Sequence, residues 1–277
     1  MTRRLAVTVI APLAAWALTG TLAAGTVTLT SVSDNTLYEV RDGHLSNGAG
    51  DWFFAGKTFT SFKRRGLLRF DLSGIPANAL IESATLTLYH SLGQPVTADI
   101  SLHRSLGDWG EGTSNPEGNE GSGVDATPGD ATWLHTSYDT AFWTNPGGDF
   151  IEAPSATTPV GPDLGFYAWS GEGLVADVQA WVDGSAANDG WILIGDELAK
   201  FGTAKRFSTH ENPVVEEQPT LVVEWSILGD VDGNGSVGAP DLAILLGAWG
   251  QPGITDLDDD GTTGASDLAL LLGAWSV

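Results

Sequence analysis

The residues best suited to do chemistry stand in two matched loops near the C-terminus. Asp230, Asp232, Asn234, Ser236 and Asp241 occupy positions 1, 3, 5, 7 and 12 of the first loop. Asp256, Asp258, Asp260, Thr262 and Asp267 occupy the same positions of a second, 26 residues further on. Calcium takes about six to eight hard oxygen ligands, and a loop of this length delivers them from these positions, position 7 through its backbone carbonyl and position 9 through water. Gly235 and Gly261 fall at position 6, where such a loop turns sharply. Asp at position 12 has a shorter arm than the more usual Glu, so the chain that follows must approach more closely. Residues 228–277 hold eight Asp and no Lys or Arg. Carboxylates crowded into one loop repel unless a dication joins them, so binding should be coupled to folding. Two calcium ions are expected, one per loop. Turn-rich acidic loops without metal are the plain alternative.

The elements that must position these loops follow them directly. Each last ligand opens an apolar run, with Leu242, Leu245, Leu246 and Trp249 in one copy and Leu268, Leu271, Leu272 and Trp275 in the other. The spacing predicts two short helices. Neither can bury its apolar face alone, so they should pack on each other, and any apolar surface left over would be a docking face. Two loop–helix repeats without an entering helix are EF-hand-like and resemble type I dockerin repeats. That resemblance implies calcium ligands at the positions above and attachment to a cohesin-like module on a scaffold protein. The chain departs from the pattern in three ways. Its repeats are closely spaced; Ala239-Pro240 and Ala265-Ser266 replace the paired hydroxyl residues often found before the last ligand; and Gly-Ala-Trp replaces the basic residues common after the helix. Some other surface protein is therefore an equally open partner.

The remaining chain reads differently. Residues 1–24 read as a signal peptide, with Arg3 and Arg4 before an uncharged apolar run and small residues at Leu22-Ala23-Ala24. An uncleaved anchor is the alternative. No second run is long and apolar enough to span a bilayer, so a secreted or cell-surface protein is expected. From residue 25 to 226 the texture is β. Ala84-Thr85-Leu86-Thr87-Leu88-Tyr89 alternates with period two, and Gly, Asn, Asp and Pro clusters punctuate other short strand candidates. Leu174, Val178 and Trp181 suggest one helix ending near Gly184. Many short strands favour a jelly-roll-type β-sandwich, giving a mostly β chain with a small helical segment over 227–277. Acids outnumber bases 35 to 12, for a formal charge of −23. Such a chain repels phosphate backbones, which argues against nucleic acid as a partner. The absence of Cys excludes disulfides, thiolate metal sites and a Cys nucleophile.

The run Lys63-Arg64-Arg65-Gly66-Leu67-Leu68-Arg69-Phe70-Asp71-Leu72-Ser73-Gly74-Ile75-Pro76, followed by Ser83-Ala84-Thr85-Leu86-Thr87-Leu88, resembles the DNRLRE-domain family. So do Asp108-Trp109-Gly110-Glu111-Gly112, Asp130-Ala131-Thr132-Trp133, Phe142-Trp143 and Lys205-Arg206-Phe207. The resemblance covers about residues 30–226. It implies a secreted β-sandwich grouped with carbohydrate-binding modules, often a non-catalytic part of polysaccharide-processing or surface proteins.

Three loop tryptophans, Trp109, Trp133 and Trp143, are candidates to stack on sugar rings; pinning the loops down as a satellite core is the plainer reading. Eight of the ten bases after residue 24 lie in two clusters, Lys57, Lys63, Arg64, Arg65, Arg69 and Lys200, Lys205, Arg206. If their strands pair, they form a basic patch suited to an acidic polysaccharide, with internal ion pairing as the alternative. Glu111, Glu117, Glu120, Asp125 and Asp130 leave room for a hydrolytic carboxylate pair. No nucleophile elbow, H-E-x-x-H or phosphate loop is found. The leading expectation is a non-catalytic polysaccharide-binding protein tethered through a calcium-dependent dockerin-like segment and associated with polysaccharide catabolism. A structural or adhesive surface protein comes next, and a glycoside hydrolase or polysaccharide lyase third.

Overall fold

A computed structural model describes residues 25–275 of the chain. The signal-peptide reading of residues 1–24 lies outside the described residues. The strands run Gly25–Tyr38 (β1), Leu45–Ser46 (β2), Trp52–Lys57 (β3), Lys63–Phe70 (β4), Leu80–Gly93 (β5), Ala98–Arg104 (β6) and Val124–Asp125 (β7). They continue as His135–Ser137 (β8), Ala141–Phe142 (β9), Ala156–Val160 (β10), Gly165–Ser170 (β11), Trp191–Ile194 (β12), Lys205–Ser208 (β13) and Thr220–Ser226 (β14). Among the described residues, three α-helices span Glu172–Val182 (α1), Ala239–Gly247 (α2) and Ala265–Gly273 (α3). The chain is mostly β, and no described helix is long and apolar enough to cross a membrane.

The long strand β1 explains the architecture. Residues Gly25–Thr30 pair antiparallel with β14. After an irregularity between Ser31 and Ser33, the same strand pairs antiparallel with β4 out to Tyr38. The circuit β1-β14-β5-β13-β3-β4 therefore closes on itself as a six-stranded barrel. Closure pairs each of these six strands on both sides and leaves edges only at strands outside the circuit. Strands β12, β6 and β10 extend from β4, and β11 lies against β5. Strand β5 keeps the period-two burial expected of its sequence, with Ile81, Ala84, Leu86 and Leu88 inside.

The main core joins Phe53, Phe70, Leu86, Leu88, Ile100, Trp169, Trp191 and Phe207 with Leu174, Val178 and Trp181 of α1. Those three α1 residues share one face, as their spacing predicts. Two of the buried indoles satisfy their polar atoms within the core. Trp169 Nε1 donates to the Ile100 carbonyl at 2.7 Å, and Trp191 Nε1 donates to Asp177 Oδ2 at 2.8 Å. Trp181 and Trp191 meet edge to face, 4.6 Å between centroids. A second core gathers Leu37, Leu67, Trp109, Ala131, Trp133, Trp143 and Ile192 beneath the long loops of 107–150. A third holds Ile227, Val237, Leu245 and Leu271. Trp225 packs against both the first and the third, and a Cβ at Gly25 would run into its indole.

Trp191→Ala should cost about 3–5 kcal/mol, because it opens a large cavity and leaves Asp177 short of a donor. Trp191→Phe keeps most of the volume and should cost less. Urea denaturation followed by intrinsic fluorescence checks both, and equal losses would contradict the cavity account.

Candidate functional site

The two acidic loops share one hydrogen-bond plan. Asp230 Oδ1 and Oδ2 accept the amides of Asn234 and Gly235 at 3.1 and 2.8 Å. In the second loop, Asp256 accepts the amides of Asp260 and Gly261 at the same distances. Asn234 Oδ1 accepts the Ser236 amide and hydroxyl, as Asp260 Oδ1 accepts those of Thr262. Asp241 and Asp267 are fully buried and receive three amides each. Oδ1 of Asp241 accepts Val231 and Asp232, and its Oδ2 accepts Gly238 at 2.8 Å, capping α2. Asp267 does the same with Leu257, Asp258 and Gly264 before α3. Burial would raise the Asp267 carboxyl, but these amides outweigh it and hold it below its ordinary value. Gly235 and Gly261, at φ of 88° and 99°, make the tight turn that L side chains resist.

The donors fit a hard dication. Single oxygens of Asp230, Asp232 and Asp241 lie within 4.8 Å of one another, and so do oxygens of Asp256, Asp258 and Asp260. Every side chain at positions 1, 3, 5, 7 and 12 offers oxygen, the donor type that suits calcium or magnesium. The helices that follow pack less completely than their sequence suggests. Only Leu245 and Leu271 are fully buried, while Leu242 and Leu268 are partly so. Leu246, Trp249, Leu272 and Trp275 are exposed, joined by Ile244 and Leu270. The segment that follows α2 is tied to the second loop by Gly250 N to Thr263 O and Thr263 N to Gln251 O, both 2.8 Å.

A different cluster brings together residues far apart in the chain. Asp34 lies on β1 just past its irregularity, Glu111 on the loop after β6, and His210 and Glu211 in the turn after β13. Their ligand-type atoms lie within 4.8 Å of one another. His210 Nδ1 stands 3.0 Å from Asp34 Oδ2 and 3.7 Å from Glu111 Oε1, and Nε2 stands 3.1 Å from Glu211 Oε1. Burial pushes the Glu111 carboxyl up to about 7, against the amide of Asp34, which donates to it at 2.7 Å. Burial and the Asp34 charge push Glu211 up as well. The Asp34 hydrogen bond raises the His210 imidazole. Glu111 was within reach of sequence reasoning as one of a run of carboxylates. Asp34, His210 and Glu211 were not, because no spacing rule links residue 34 to residue 210.

The expected glycan contacts are placed otherwise. Trp109, Trp133 and Trp143 are 2, 7 and 5% exposed, so they offer no free ring face to a sugar. Trp109 Nε1 donates to Asp189 O and Trp143 Nε1 to Thr132 O, which fixes them as core. The basic patch is corrected too, because β4 and β13 do not pair and β3 runs between them. Arg64 stacks over Tyr38, Arg65 over Trp133, Arg69 over Trp109 and Arg206 over Trp52. Arg69 also pairs with Asp108 at 3.0 Å. Lys205 is fully buried, its Nζ donating to the carbonyls of Gln94, Val96 and Gly161. Among the other loop acids, Glu120 accepts the amides of Asp51 and Trp52, and Asp130 accepts those of Ser114 and Thr127, so both brace the backbone. Glu117 and Asp125 are exposed. No protein-family model matches this chain, and no curated protein matches it.

Internal charge pairing has a measurable consequence at Glu197, which accepts Arg65 Nε and Nη2 at 2.8 and 2.9 Å and meets Lys63 at 3.2 Å. Burial would raise this carboxyl, but Arg65 and Lys63 outweigh it and hold it below its ordinary value. Such a group stabilises the fold above the ordinary carboxylate pKa, and the contribution is lost as pH falls through the folded value. Glu197→Gln should therefore cost about 3 kcal/mol at neutral pH, and the two proteins should converge in acid. Urea midpoints across pH 3–7 (about the carboxylate range) check this. A constant gap would contradict it.

Proposed function

We propose that this chain is a secreted, non-catalytic protein that holds polysaccharide through residues 25–226. On this reading, residues 227–277 form a calcium-dependent, dockerin-like tether serving polysaccharide catabolism. The observation that carries the reading is the matched pair of loops, whose hydrogen bonds repeat residue for residue from Asp230–Asp241 to Asp256–Asp267. Calcium would supply the positive charge that lets carboxylates share one loop. Asp230, Asp232, Asn234, the Ser236 carbonyl and Asp241 would hold one ion. Asp256, Asp258, Asp260, the Thr262 carbonyl and Asp267 would hold the other.

The exposed apolar residues of α2 and α3 support a tether. Leu246 and Leu272 are each 51% exposed, and Trp249 and Trp275 follow them at the helix ends. An apolar surface repeated on two helices suits a protein partner, cohesin-like or of another surface type. The barrel supports the jelly-roll sandwich and DNRLRE readings through its hydrogen bonds, which fall into two arrays. One holds the start of β1 with β14, β5, β13 and β11. The other holds the end of β1 with β4, β12, β6 and β10.

Polysaccharide contact is best assigned to exposed aromatics rather than to the buried tryptophans. Phe59 and Phe62 occupy the turn between β3 and β4, and Phe201 lies on the loop before β13. They are 78, 50 and 52% exposed. Thr203 and Ala204 donate their amides to the Lys57 carbonyl, which joins the two loops. The internal engagement of Arg64, Arg65, Arg69, Lys205 and Arg206 makes a neutral glycan a better match than an acidic one. It also favours the second reading, a structural or adhesive surface protein.

A pull-down with the full chain in calcium, on neutral and acidic polysaccharides, tests the reading. We expect retention on a neutral glycan, at least tenfold weaker binding for the double variant F59A/F201A, and no sugar released. Failure to bind any glycan would move the assignment to the adhesive reading. Released reducing ends or unsaturated sugars would overturn the non-catalytic assignment.

A further inference from the structure

We propose that Asp34, Glu111 and His210 form a site for one divalent transition-metal ion, of the zinc or manganese type, separate from the C-terminal loops. Glu211 orients its imidazole. The argument begins with partners that the fold leaves out. Asp34 is 1% exposed, yet its Oδ1 has no hydrogen-bond partner among the described residues. Glu211 Oε2 is buried and equally without one. A buried carboxylate oxygen without a donor is costly, and native proteins rarely leave one so. Asp34 is directed into the cluster, since its other oxygen meets the His210 ring and amide, both at 3.0 Å. Ser31 Oγ adds a third donor to that same oxygen at 3.2 Å.

The charges are unequal as well. Three carboxylates face a single imidazole. Arg69, whose guanidinium acts on Glu111, is engaged by Asp108 and by the Ser33 hydroxyl. A dication would remove the imbalance.

The spacing suits such an ion. Ligands held about 2.1 Å from a metal in tetrahedral or octahedral geometry stand about 3.0–3.5 Å apart. Asp34 Oδ2 and Glu111 Oε1 stand 3.0 and 3.7 Å from His210 Nδ1. Nitrogen with two carboxylates is a mixed donor set that suits zinc or manganese, in contrast to the all-oxygen loops. The second ring nitrogen behaves as a metal-bound histidine requires. Glu211 Oε1 lies 3.1 Å from Nε2, where it would hold the Nε2 proton of a metal-bound imidazole once the ion displaces any proton on Nδ1. The supporting backbone is rigid. Thr209 is fully buried with its hydroxyl on the Gly50 carbonyl at 2.7 Å, and Gln218 Nε2 donates to the His210 carbonyl at 2.7 Å. Glu111 and His210 are about a quarter exposed, so an ion has a way in.

The test uses the full chain, stripped with chelator and then held in excess calcium so that the C-terminal loops do not compete. Zinc or manganese is titrated in, and bound metal is counted after dialysis. We expect one equivalent of either zinc or manganese. His210→Gln and Glu111→Gln should lose it, and Glu211→Gln should weaken it about 10–100-fold. Circular dichroism establishes that each variant is folded. A second readout needs no variant. Of the five histidines, one imidazole should shift its ring nitrogen resonances when the metal is added. No stoichiometric metal, retention by folded His210→Gln, or no histidine shift would each overturn the proposal.

Discussion

The first six residues of β1 are hydrogen-bonded to β14, and its later residues to β4. That double pairing turns a run of neighbouring strands into a closed barrel, and the rest of the structure depends on it. The two-sided demand explains the irregularity between Ser31 and Ser33, where the strand changes partners. Just beyond it, Asp34 meets His210, and Tyr38 donates to the Glu120 carbonyl in the long loops. At the other end, Gly25 lies beneath Trp225, whose indole links the barrel core to the C-terminal helices. One strand thus sets the core, the buried acidic cluster and the start of the acidic-loop segment.

A second constraint is the scarcity of positive charge. Against 35 acids the chain has 12 bases, and the arginines on β4 and β13 are engaged internally. Arg65 shows the pattern, as its guanidinium lies 5.0 Å above Trp133, donates to both carboxylate oxygens of Glu197 and reaches the Gly147 carbonyl at 2.8 Å. Loops of about 40 residues with little regular structure are uncommon, and residues 107–150 hold their shape because indoles plug them into the second core and arginines cover two of those indoles, Trp109 and Trp133. Lys205, fully buried among three carbonyls, ties the β5–β6 turn to β13.

Local signals were legible in the sequence. The alternation along 84–89 became β5, the spacing of Leu174, Val178 and Trp181 became one buried helix face, and the acidic loops and their helices fell where the ligand spacing placed them. The exposure of Leu246, Trp249, Leu272 and Trp275 was not legible, because helices of nine residues can hide only one side against each other. Long-range pairing was not legible either. Nothing in the spacing of Arg64 and Lys205 reveals that β3 separates their strands, and that separation dissolves the basic patch. Asp34 and His210 meet only because the barrel closes. A tryptophan in a Gly-rich loop reads equally as platform or plug, and burial decided for the plug at Trp109, Trp133 and Trp143.

The account stands or falls on the loops. The most direct measurement is the number of calcium ions bound to the full chain, counted by equilibrium dialysis against calcium at concentrations up to about a millimolar. The account predicts two per chain, and one when Asp256 and Asp258 are both changed to Asn. No bound calcium in that range, or a count unchanged by those substitutions, would contradict it.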